Sequence, residues 1–123
     1  MAAPNLLALT TATPSTATIE LTSSSEFQIV SNAAASGMSY KINSIIVANT
    51  DTNVHMITVA YHSSAAIGGT AFPLASAISI PANTSLVVVQ KDSQIYIPEN
   101  ASIGATADAG NYLYVTCSYE VLS

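Results

Sequence analysis

The sequence predicts an all-β fold: an antiparallel β-sandwich of the jelly-roll or Ig-like kind, with an extended N-terminal arm. Three observations point there. Glycine and proline recur at Pro4, Pro14, Gly37, Gly68-Gly69, Pro73, Pro81, Pro98, Gly104 and Gly110, leaving no interval for a long helix. The last stretch alternates, with Leu113, Val115, Cys117, Tyr119 and Val121 on one face and Tyr114, Thr116, Ser118 and Glu120 on the other. That is the period of a strand with one core face. Several further apolar runs, each bounded by turn residues, follow at the spacing of a sandwich. A chain of 123 residues is the size of one domain, so 1–123 is expected to share one core.

Taken in order, residues 1–16 are expected to form the arm. Leu6, Leu7 and Leu9 could start a strand, but the Thr/Ala/Ser/Pro stretch over 10–18 reads as extended chain that docks on a neighbour. Short strands are expected at 17–21 and 27–31. Ala33-Ala34-Ala35 is too brief to nucleate a helix and reads as a loop. Residues 40–49 and 54–62 are rich in Ile, Val, Tyr and Met and flank the turn-forming Asn49-Thr50-Asp51-Thr52-Asn53, so they are expected to pair as a hairpin. Neither face of the second arm is strongly polar, because His55, Ile57, Val59 and Tyr61 alternate with Val54, Met56, Thr58 and Ala60. Both faces are therefore expected to be covered. Gly68-Gly69 reads as a flexible turn, and shorter strands follow at 77–80, 86–90, 94–97 and 102–107.

Composition excludes several function classes. Ala, Ser and Thr occupy 50 of 123 positions, charged residues are only 7%, and the net charge is −5 with Lys41 and Lys91 the sole basic side chains. Nothing in the chain can neutralise a run of phosphates, so nucleic acid and anionic lipid are excluded as partners. No apolar run approaches the roughly 20 residues of a membrane span, and no membrane association is expected. Residues 1–14 carry no Lys or Arg ahead of Leu6-Leu7-Ala8-Leu9, so no export signal is read there. Cys117 is the single cysteine; its place in a strand makes it a buried reduced thiol, in keeping with assembly in a reducing cytoplasm.

The sequence offers no catalytic set, no cofactor site and no metal site. Only His55 and His62 could serve as a base, and neither lies in a nucleophile elbow. Seven residues apart on one strand, they face opposite sides and cannot chelate one ion. The carboxylates Glu20, Glu26, Asp51, Asp92, Glu99, Asp108 and Glu120 stand singly along the chain. Asp51-Thr52-Asn53 stops short of a calcium loop. What stands out instead is apolar and aromatic residues on faces opposite the expected core. Val54, Met56, Tyr112 and Tyr114 are therefore read as protein-interface residues, and the low surface charge as a sign of a homo-oligomer.

Four phrases carry a resemblance: Tyr40-Lys41-Ile42-Asn43-Ser44-Ile45; Ile80-Pro81-Ala82-Asn83-Thr84-Ser85-Leu86-Val87-Val88-Val89; Ile95-Tyr96-Ile97-Pro98-Glu99-Asn100; and Cys117-Ser118-Tyr119-Glu120. In these the chain resembles small virion-associated β-sandwich proteins of tailed phages, especially cyanobacterial phages. The likeness covers about the last two-thirds of the chain and carries over no catalytic residue. It implies a non-enzymatic virion component assembled in the host cytoplasm. The expected role is a capsid decoration (cement) protein that binds the major capsid protein as a homo-oligomer, expected as a homotrimer. The alternatives are a neck, tail or fibre component, or a receptor- or carbohydrate-binding module using Tyr112, Tyr114, Asn83 and Asn111.

Overall fold

The protein, described here by a computed structural model over residues 4–123, is built almost wholly of strands. Among the described residues these are β1 (Ala12–Glu20), β2 (Glu26–Asn32), β3 (Ser39–Asn49), β4 (His55–Ser64) and β5 (Gly68–Ile80). They continue as β6 (Ser85–Val89), β7 (Ile95–Ile97), β8 (Ala101–Ala107) and β9 (Leu113–Leu122), with one 3-10 turn at Lys91–Ser93.

Their pairing is nested. β4 and β5 form the innermost hairpin, β3 pairs with β6 and β7, β2 with β8, and β1 with β9, all antiparallel. The chain is thus one long ribbon with the start of β1 and the end of β9 at its open end, where the Thr10 and Thr11 amides donate to the Ser123 carbonyl at 2.8 and 2.9 Å. Rolling the ribbon sets β9 against β3 and β8 against β4. Two sheets result, one ordered β1-β9-β3-β6 with β7 also on β3, the other β2-β8-β4-β5. An Ig sandwich keeps its first two strands in one sheet. Here β1 and β2 lie in different sheets, and the nested pairs give the jelly-roll arrangement instead.

The inward faces supply one core. Ile42, Ile45 and Val47 of β3 and Val115 and Cys117 of β9 meet Ile57 and Val59 of β4 and Ile103 and Ala105 of β8. The alternation expected for β9 places Leu113, Val115 and Cys117 inward and out of water. Burial pushes the Cys117 thiol up to about 12, so it stays protonated and packs as a small apolar group.

Three expectations are corrected. The segments at 40–49 and 54–62 do not form a hairpin: β3 lies between β9 and β6/β7, and β4 between β8 and β5, so neither has a free edge for the other. Their connection crosses from sheet to sheet. The arm expected over 1–16 is shorter, because Ala12 to Thr16 already pair with Leu122 to Ser118; its first three residues lie outside the described ones. Finally, Gly68-Gly69 is not a turn, and the strand expected at 77–80 begins there instead. This strand is β5, which sets 13 residues against the 10 of β4. The excess is taken up at three register shifts, one of them beside Ala77, which has φ +47°.

Candidate functional site

The ionisable side chains that the sequence left scattered are brought together at two places, each built around a histidine. The first lies at the end of the sandwich where β3 crosses to β4. Buried Asn49 begins the crossing: its side-chain amide donates to the carbonyls of Asn53 at 2.9 Å and Ile80 at 3.0 Å, and its Oδ1 accepts the Asp51 amide at 2.9 Å. This fixes Asp51 over the first residue of β4. There His55 Nε2 meets Asp51 Oδ2 at 2.7 Å and His55 Nδ1 meets Asp108 Oδ1, from the β8–β9 turn, at 2.8 Å. Tyr112 stacks on the imidazole with ring centroids 4.7 Å apart. The Thr50 amide and hydroxyl both donate to the Tyr112 carbonyl, which ties the turn back to β3.

This geometry favours the imidazolium, since only the protonated ring donates from both nitrogens. The bonds to Asp51 and then Asp108 raise the His55 pKa above the ordinary histidine value. The His55 donation in turn holds Asp51 below the usual carboxylate range. Chemically the cluster is a clamp. Neither ring nitrogen is free to accept a proton from a substrate, as a general base must.

The second place is the outer face of the β2-β8-β4-β5 sheet. His62 Nε2 lies 2.6 Å from Glu26 Oε2, while buried His62 Nδ1 has no partner among the described residues. The pair reaches across β8 because position 104 is glycine: a Cβ there would collide with the Glu26 carboxylate and come within 2.9 Å of Ile67. Ile67 belongs to the β4–β5 turn, which folds back over the sheet with Ala66 and Ile67 at φ +57° and +49°. Side chains hold this uncommon backbone in place. Ser31 Oγ accepts the Ala66 amide and Ser102 Oγ the Ile67 amide, each at 2.9 Å.

As the alternation predicts, the two histidines face opposite sides of β4. Among the described residues no group of three or more His, Cys, Asp or Glu is placed to hold a metal ion, and no helix is long and apolar enough to cross a membrane. Asp51, considered above for calcium, spends its oxygens on His55 and on the Thr52 amide.

The four expected interface residues are all exposed, Val54 the most at 57%. They do not form one patch. Tyr112 precedes β9 rather than sharing the outer face of that strand with Tyr114, and it covers His55. Val54 lies beside it in the β3–β4 crossing. Met56 pairs with Ser79 on the outer face of one sheet, and Tyr114 pairs with Ala48 on the outer face of the other. The Tyr114 hydroxyl donates to Glu20 at 3.0 Å, and this bond raises the tyrosine pKa. A shallow open depression of about 310 Å³ lies here, lined by Thr18, Ile19, Glu20, Tyr114, Val115 and Thr116.

No protein-family model matches the chain, and no curated protein matches it in sequence. The chain is similar to a chain in the structure of infectious bursal disease virus, Gx strain, at 15% identity and a TM-score of 0.39. That match covers 89% of this chain and 33% of the other, so this chain spans about a third of the length of its neighbour.

Proposed function

We propose that the chain is a non-enzymatic virion structural protein, a capsid decoration (cement) protein that binds the major capsid protein as a homo-oligomer. The observation that carries this reading is the exposure of Val54, Met56, Tyr112 and Tyr114 on a molecule whose histidines are both engaged by carboxylates. Uncharged apolar groups offered at the loop end and on both outer faces fit a protein that meets neighbours on several sides. Each lattice contact then adds burial worth about 25 cal/mol per Å², repeated at every equivalent site. The jelly roll is a fold used by capsid and lectin domains; since a fold hosts many functions, the surfaces bear the argument. The phage-like phrases at 40–45, 80–89, 95–100 and 117–120 support the same role, and a trimer is the expected oligomer.

A second reading has its own observation. The depression beside Tyr114 sets an aromatic ring, the Glu20 carboxylate and the Thr18 and Thr116 hydroxyls together, a combination that suits a sugar. Cryo-electron microscopy of purified particles decides between the two. A regular array at lattice symmetry axes is the expected result. A few copies at a tail or fibre tip, with hits on a glycan array, would replace decoration by receptor binding, and no copies at all would overturn both.

A further inference from the structure

The two turns that His55 joins are not equally firm. On the β3–β4 side Asp51 is held by backbone and side chain alike. Asn49 Oδ1 accepts its amide at 2.9 Å, its carbonyl accepts the Asn83 amide at 3.0 Å, and its Oδ1 accepts the Thr52 amide at 2.7 Å. On the β8–β9 side the Asp108 amide donates to the Met56 carbonyl at 3.2 Å, and among the described residues its carboxylate bonds nothing but His55. The Asp108 side chain is also the more exposed, at 34% against 18% for Asp51. The rest of that turn is fixed without it. Gly110 packs against the Thr22 carbonyl, where a Cβ would collide. The Asn111 amide donates to Leu21 at 2.8 Å, and the Tyr112 carbonyl accepts from Thr50. Asp108 and Ala109 therefore hang on the histidine.

We propose that His55 is a latch worked by pH: on losing its proton it keeps Asp51 and lets go of Asp108, freeing the start of the β8–β9 turn. The imidazolium donates from both nitrogens and so holds both turns. The neutral ring has one N–H to give, and its other nitrogen turns a lone pair on a carboxylate. Asp51 cannot withdraw without straining its bonds to Asn49, Asn83 and Thr52, whereas Asp108 can swing into water. The proton lost is therefore the one on Nδ1, and it passes to solvent. The ionisable groups facing the ring are Asp51, Asp108 and the stacked Tyr112. From β5 the ring meets apolar Ile80, and among the described residues neither carboxylate has a salt bridge to a lysine. The bonds that hold the latch also raise the His55 pKa, so it opens above 6.5. Opening leaves two carboxylates with no imidazolium between them, beside the exposed Val54 and Tyr112. The surface at this end is closed below the transition, and looser and more negative above it. The latch goes beyond the virion role and does not depend on it.

The test is nitrogen-15 NMR of the full chain from pH 6 to pH 9, with the His55 ring assigned by the loss of its signals in His55→Gln. In the wild type the neutral ring is expected to keep its proton on Nε2. As it titrates, the Asp108 amide should lose at least about tenfold in protection from solvent exchange, corrected for the intrinsic rate, while the Asp51 and Asn111 amides keep theirs. Asp108→Asn is expected to stay latched at both ends of the range. Its carboxamide accepts from the imidazolium and, turned over, donates to the neutral Nδ1, so protection at 108 no longer follows pH. Asp51→Asn is expected to move the proton of the neutral ring to Nδ1, because the carboxamide then donates to Nε2. A histidine that acts by shape alone would show neither change. A neutral wild-type ring protonated on Nδ1, or Asp108 protection that is constant while His55 titrates, would overturn the latch. Should either variant fail to fold, the wild-type tautomer and the Asp108 exchange decide by themselves.

Discussion

His55 and His62 are both nearly out of water, at 8% and 4% exposed, and both touch carboxylates, yet they do opposite work. His55 has a carboxylate on each nitrogen and joins the β3–β4 and β8–β9 turns at the end of the sandwich. His62 has a carboxylate on one nitrogen and, among the described residues, nothing on the other, beneath a turn pinned chiefly by serines. The comparison teaches that a buried ion pair has to be judged by what remains unsatisfied around it. A charge or polar atom left alone in the interior costs more than the pair itself contributes.

The largest expected effect comes from breaking the fully satisfied site. His55→Ala removes two charge-assisted bonds and the Tyr112 stack, and leaves two carboxylates facing a gap. A loss of about 2–3 kcal/mol is expected at pH 6, read by urea denaturation. A loss under about 0.5 kcal/mol would mean that the clamp is only decorative.

A smaller effect with a definite sign sharpens the same contrast. The fold raises the His55 pKa above 6.5, so its stabilisation is complete below that value and is lost as pH rises through the raised pKa. Asp51 is lowered below 3.8, so its contribution is complete above that value and is lost as pH falls through the lowered pKa. Stability should therefore be greatest between the two. The melting-temperature advantage of the wild type over His55→Gln should shrink from pH 6 towards pH 9. A constant advantage would show that the histidine acts by shape and not by charge.

How much of this was legible in the chain depends on locality. β9 could be read from its residues because one face is buried and the other wet, which imposes period two on Leu113 through Tyr119. Of β5 only the end, at 77–80, could be, since its three register shifts break the alternation and its exposed edge carries no pattern of burial. The start of β1 was hidden for a related reason: an edge strand of Ala, Thr, Ser and Pro has the composition of an arm. At the clamp, the Asp51 to His55 spacing is local, but it reads as ordinary turn chemistry until the fold supplies Asp108, 53 residues from His55. Gly104 likewise looked like punctuation. Its role, making room for Glu26 to reach His62, exists only once β2, β8 and β4 lie side by side.

The smallest expected effect belongs to His62 and is the one that most directly tests the lesson. Glu26→Ala alone leaves the buried imidazole without either partner, and a loss of about 1–2 kcal/mol is expected. Adding His62→Leu removes the orphaned Nδ1 together with the remaining ring nitrogen, and sets an apolar side chain in their place. The double variant should regain most of that loss and lie within about 1 kcal/mol of the wild type in urea denaturation, because a buried polar pair replaced by packed apolar groups is often neutral. The argument turns on sign: the second substitution stabilises the first. If Glu26→Ala/His62→Leu is instead less stable than Glu26→Ala, then His62 has a partner that offsets its burial, and the contrast with His55 collapses.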